Sequence, residues 1–144
     1  MMYAQAQDFI VRVGELQALQ LTDRDNVGEI NYAVLEIGLS DSSSQIDGYL
    51  SARYKLPLAT VPQNLTRICC DLTRYRLCSM SDVPITDEII ERYKLSIKEL
   101  EALASGKISL GIEDESMNTD VTNADSAVQF FNGNNRIFAR DYEN

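Results

Sequence analysis

The sequence predicts an all-α protein, a compact bundle of about four to five helices with an extended or hairpin C-terminal arm. Three observations predict it. Apolar residues recur at three- and four-residue steps through four separate stretches, the spacing that puts them on one face of a helix. Start and stop residues bracket those stretches: Pro62 in a first turn, Thr86 ahead of Asp87 and Glu88, and Gly106 after a last apolar position. Beyond Gly106 the composition changes, which divides the chain into a helical unit of residues 1–112, an acidic linker of 113–126 and an arm of 127–144.

The first helical stretch covers residues 4–19, with Phe9, Ile10, Val13, Leu16 and Leu19 as its apolar positions. Gly14 stands in its middle, where glycine costs about 1 kcal/mol relative to alanine, so a break into two short helices is expected there. The second stretch covers 29–54, with a stripe of Ile30, Val34, Ile37, Ile46, Leu50 and Tyr54. A run of weak helix formers, Ser40-Asp41-Ser42-Ser43-Ser44, interrupts it and is read as a solvated face. The turn at Pro57 leads to a third helix, 62–79, whose Leu65, Ile68, Cys69, Leu72 and Tyr75 make it the expected centre of the core. A fourth helix starts from Thr86 as N-cap and closes at Gly106, with Ile90, Tyr93, Ile97, Leu100 and Leu103 or Ala104 facing inward.

Residues 113–125 hold five acids and no Lys or Arg, too polar to offset their ordering entropy, and read as a flexible linker. The arm is apolar again, through Phe130, Phe131, Ile137 and Phe138, with Asn132-Gly133 as a hairpin signal. A lone hairpin is marginal in water, so these residues require a partner surface in the same chain or in a neighbour.

Composition narrows the function. At 144 residues the chain can bury a core without a metal or disulfide staple. The three cysteines, Cys69, Cys70 and Cys78, form no C-x-x-C pair and read as buried free thiols. With no histidine, Ser-His-Asp, Cys-His and His-based zinc chemistry are excluded from a single chain. A catalyst would need carboxylates such as Asp47 and Asp71 in a shared pocket, whereas Asp71 with Arg67 or Arg74 reads as an ion pair, so the chain is expected not to be an enzyme and to need no cofactor. A net charge of −9 opposes a nucleic-acid clamp, and Arg67, Arg74 and Arg76 on one helix read as a solvated flank or a protein-binding edge. No apolar run approaches the ~18 residues of a membrane span, and residues 1–7 lack the plan of a signal peptide, so a cytoplasmic protein with no membrane contact is expected. Residues 23–34 match a calcium loop at Asp23, Asp25, Gly28 and Ile30, but Val27 and Val34 stand where oxygen ligands belong, so the stretch reads as a turn leading into the next helix.

Several short motifs in fixed order carry a resemblance. They are Met2-Tyr3-Ala4; Leu21-Thr22-Asp23-Arg24-Asp25; Ile46-Asp47-Gly48-Tyr49-Leu50-Ser51-Ala52-Arg53-Tyr54 with Leu56-Pro57-Leu58 and Val61-Pro62; Cys70-Asp71-Leu72-Thr73-Arg74-Tyr75-Arg76-Leu77; Ala104-Ser105-Gly106-Lys107-Ile108-Ser109-Leu110-Gly111; and Arg136-Ile137-Phe138-Ala139-Arg140-Asp141. In order and spacing the chain resembles the Mu-like phage and prophage head-tail connector proteins. That resemblance implies an α-helical adaptor subunit of the virion, made in the host cytoplasm, that joins a ring beneath the portal, helps complete the head and docks the neck or tail. Its implied partners are the portal protein, neck or tail proteins and neighbouring copies of itself, with DNA passing nearby without specific binding. It supplies no catalytic residue. The contacts expected for such a role fall on Arg53, Tyr54 and Pro57 at the turn and on Phe130, Phe131, Ile137, Phe138 and Arg140 in the arm. The alternative is a small helical regulatory or interaction module that binds a host protein one to one.

Overall fold

The computed structural model describes residues 1–112, so the expected linker and arm, with Phe130, Phe131, Ile137, Phe138 and Arg140, lie outside the described residues. Within them the order is α1 (Ala6–Val13), α2 (Glu15–Thr22), α3 (Tyr32–Leu50), α4 (Gln63–Ser79) and α5 (Asp87–Ala104). The described part is all-α. α4 touches each of the other four helices, and α3, α4 and α5 pack mutually. It is the central element that its apolar face predicted: Leu65, Ile68, Leu72 and Leu77 are buried, and so are the free thiols of Cys69, Cys70 and Cys78.

The expected break falls at Gly14, whose φ of +89° ends α1 and starts α2. Restarting the helix there changes its phase. Phe9 stays fully buried, but Leu16, read as part of the same stripe, is 69% exposed. α3 is shorter than the 29–54 stretch, being capped by the Asn31 side chain, which accepts the Val34 N–H at 3.2 Å, and ending where residues 51–54 turn.

Two readings of α3 are corrected. Its buried face carries Leu35, Gly38, Leu39, Ser42, Ser43, Ile46 and Leu50, while Ile37 is 55% exposed. The serine run is therefore not wholly solvated. Ser42 and Ser43 lie inside the α3–α4 seam, where small side chains let the helices approach. The Thr73 hydroxyl donates to the Cys69 carbonyl at 2.7 Å and pairs with the Ser42 hydroxyl at 3.0 Å, and Ser43 Oγ accepts the Tyr3 N–H at 3.2 Å. Every buried hydroxyl here has a partner, which is why serine is tolerated in a core seam.

α5 begins as expected, the Thr86 side chain accepting the Ile89 N–H at 3.4 Å. Its end is a Schellman closure. Gly106, at φ +77°, donates its N–H to the Leu103 carbonyl, and the Lys107 N–H reaches back to the Ala102 carbonyl at 2.9 Å. Ile89 and Ser96 join Leu100 and Leu103 on its buried face, and Tyr93 stacks on Tyr75 of α4 with ring centroids 4.1 Å apart. No helix among the described residues is long and apolar enough to cross a membrane.

Candidate functional site

One end of the bundle gathers segments that are far apart in sequence. The last turn of α3, the reversal at residues 51–62, residues 1–3 and the chain leaving α5 all meet there. Asp47 on α3 accepts the Tyr3 hydroxyl at 2.5 Å, and the Leu58 N–H points to Met1 Sδ at 3.2 Å. Burial and then the Asp47 carboxylate push the Tyr3 phenol well above its ordinary pKa. Arg53 donates from Nη1 to the Leu103 carbonyl at 3.3 Å, and its guanidinium lies over the Tyr54 ring, 5.9 Å from the centroid. It also rests against Gly106, where a Cβ would overlap the guanidinium, so Gly106 serves both the helix closure and the seat of this arginine. Tyr54 is 2% exposed and its hydroxyl accepts the Leu110 N–H at 3.1 Å.

The three turn residues singled out from the sequence are thus brought to one place with different roles. Tyr54 and Arg53 hold the departing chain to the bundle. Pro57, which follows a cis peptide bond, is exposed and with Lys55, Leu58, Thr60 and Ile112 lines a recess of about 290 Å³. Sequence alone does not reveal the clamp, because its partners are backbone groups of residues 103 and 110. Tyr54→Phe should remove the one side-chain bond to the Leu110 amide and cost about 1 kcal/mol, read as faster hydrogen exchange at Leu110 with the helical core unchanged. Unaltered exchange at Leu110 would refute the clamp.

A second surface was not anticipated. A groove of about 750 Å³ opens between α2, the following turn and the first residue of α3, lined by the apolar Leu16, Leu19, Ile30 and Tyr32 and by Glu15 and Glu29. Leu16 and Tyr32 are its exposed apolar side chains, at 69% and 54%. Its only signal in the sequence is Gly14, since the phase change there turns Leu16 away from the α1 stripe.

The turn uses the first of its acids internally. Asp23 accepts the Val27 and Gly28 N–H groups at 2.9 and 2.7 Å, and these bonds lower its pKa. Among the described residues no group of three Cys, Asp or Glu side chains is placed to hold a metal. Asp47 and Asp71 do not share partners: Asp71 sits between Arg67 (3.3 Å) and the Ser96 hydroxyl (3.3 Å), and burial raises its pKa in spite of Arg67. The arginines of α4 are paired within the chain, Arg67 with Asp71 and Glu99, Arg74 with Glu88 at 3.6 Å, and Arg76 with Gln45 at 3.1 Å. They form a half-buried, internally paired flank of α4.

Together these features define a small all-α protein with a clamped chain exit at one end and, elsewhere, an apolar groove that two glutamates also line. The chain belongs to the family described as Bacteriophage Mu, Gp36, whose model matches residues 3–129. It is therefore a phage protein. It is 37% identical over 114 residues to the Mu-like prophage FluMu protein gp36 of Haemophilus influenzae, an alignment covering 79% of each chain. It is also 38% identical over 86 residues to gene product J of Escherichia phage Mu, covering 60% of this chain and 59% of that one.

Proposed function

We propose that this protein is a structural subunit of the head-tail junction of a Mu-like phage or prophage particle, a connector that binds beneath the portal as a ring and presents a surface to neck or tail. The observation that carries this reading is the family match over residues 3–129, which takes in most of the motifs through which the chain resembles connectors, the tail motif of residues 136–141 lying beyond it. The chemistry of the chain supports action by contact. The sequence has no histidine, and its net charge of −9 repels a phosphate backbone, which suits a protein beside a DNA exit. Asp47 and Asp71, the acids named above as the residues a catalyst would need, are taken up by Tyr3 and by Arg67 and Ser96. The clamp formed by Arg53 and Tyr54 gives the chain beyond Ile112 a fixed point of departure, as a contact arm requires. The test is addition of purified protein to DNA-filled, tailless heads of the encoding phage, where stable association with the heads is expected. A folded protein that ignores heads and pairs one to one with a host protein would replace this reading with that of a regulatory module.

A further inference from the structure

The groove between α2 and the start of α3 has a defined chemistry: the apolar side chains of Leu16, Leu19, Ile30 and Tyr32 together with two carboxylates, Glu15 and Glu29. A fitting occupant combines apolar and aromatic side chains with cations. Residues 136–140 of this chain read Arg136-Ile137-Phe138-Ala139-Arg140, and Arg136 and Arg140 are the two cations of the entire stretch 113–144. Two bases around an apolar pair complement two acids beside apolar side chains.

Position on the fold brings a neighbouring copy's groove within reach of the segment. The chain departs beside Tyr54, just beyond the C-terminal end of α3, whereas the groove lies at Tyr32, the first residue of that helix. A helix of 19 residues separates them by about 28 Å. From Ile112 to Arg136 there are 24 residues, with an extended reach of about 80 Å, so the segment can pass well beyond its own bundle. Because exit and groove lie at opposite ends of α3, a contact between copies is heterologous, the type that joins copies head to tail and closes rings when the rotation permits.

We propose that the α2–α3 groove receives residues 136–140 of a neighbouring copy, with Ile137 and Phe138 on its apolar side chains and Arg136 and Arg140 against Glu15 and Glu29. The role of this contact in building a ring rests on the connector reading; the contact itself does not.

The test uses the full chain carrying the photocross-linking residue p-benzoylphenylalanine in place of Leu16, with a second chain carrying it in place of Leu95, an exposed position on α5. Equal amounts of isotopically labelled and unlabelled chains are mixed before irradiation, and the cross-linked peptides are sequenced by mass spectrometry. Cross-links from position 16 should fall on the peptide containing residues 136–140 and should join labelled to unlabelled chains, while position 95 should not mark that peptide. Combining Glu15→Lys and Glu29→Lys should lower the yield about fivefold or more, and adding Arg136→Glu and Arg140→Glu should restore it, since two exposed ion pairs are first reversed and then re-formed. Absence of cross-links to residues 136–140 in a chain with unchanged helical circular dichroism, or equal marking from position 95, would overturn the assignment. Cross-links confined within single chains would overturn the neighbouring copy as the source. A chain that cross-links as expected but ignores heads would sink only the connector reading, and one that binds heads without this cross-link would sink only the groove.

Discussion

Gly38→Leu should destabilise the bundle by about 3 kcal/mol and lower its melting temperature by roughly 15 °C. Gly38 faces α4 across the closest part of the α3–α4 seam. A Cβ at that position would already stand 3.2 Å from Leu77 Cδ2 and 3.2 Å from Thr73 Cγ2, and a leucine adds three further carbons to a filled space. The helices cannot part to admit it without stretching the bond between the Ser42 and Thr73 hydroxyls, buried groups that have no water to turn to. Gly48 on the same helix provides the comparison. A Cβ there meets nothing within 4 Å, so Gly48→Leu should be neutral or gain up to about 1 kcal/mol from helix propensity. Urea titration of both variants is the measurement, and a loss below about 1 kcal/mol for Gly38→Leu would mean that the seam is looser than described.

Alkaline solution should destabilise the protein progressively between about pH 9 and about pH 12. Burial, reinforced by the neighbouring Cys69, pushes the Cys70 thiol from about 9 up to about 12, and burial raises Cys69 and Cys78 as well. The sign follows from which state keeps its protons. Below the unfolded pKa of about 9 both states hold the thiol proton and the full stability is present; between about 9 and about 12 the unfolded chain releases it and the folded chain does not. Stability therefore falls as pH rises through that window, by about 1.4 kcal/mol per pH unit from Cys70 alone. Tyr3, raised by burial and Asp47, adds to the loss at its upper end. Urea midpoints under reducing conditions from about pH 8 to about pH 11 should decline steadily, and Cys70→Ala should flatten the decline. A constant midpoint across the range would show that these thiols ionise as freely folded as unfolded.

How much of this was legible in the sequence depended on whether a feature was local. The stop at Gly14, the caps Thr86 and Gly106 and the central place of α4 follow from residues adjacent in the chain, and all are found. The buried face of α3 was misread because its middle is polar. Ile46, Leu50 and Tyr54 of the expected stripe are buried, but in the first half of the helix the buried positions are Leu35 and Leu39 rather than Ile37, and the choice is made by Thr73 and Leu77 on α4, which accept Gly38 and Ser42 but would leave no room for isoleucine. The candidate site was legible in part. Arg53 and Tyr54 were marked as functional from their motif, yet their bonds to the backbone of Leu103 and Leu110 depend on how α5 ends beside α3. Of the α2–α3 groove only the break at Gly14 was legible, because three segments build it and each alone reads as an ordinary helix face or turn.

The connector reading is tested most directly by counting bound copies. Purified protein is titrated onto DNA-filled, tailless heads, the heads are recovered by sedimentation, and the ratio of this chain to portal protein is measured by quantitative mass spectrometry. The account predicts saturation at a fixed small number of copies per portal ring, with no binding to heads that lack the portal. Binding that never saturates, binding that is indifferent to the portal, or no binding by folded protein would contradict it.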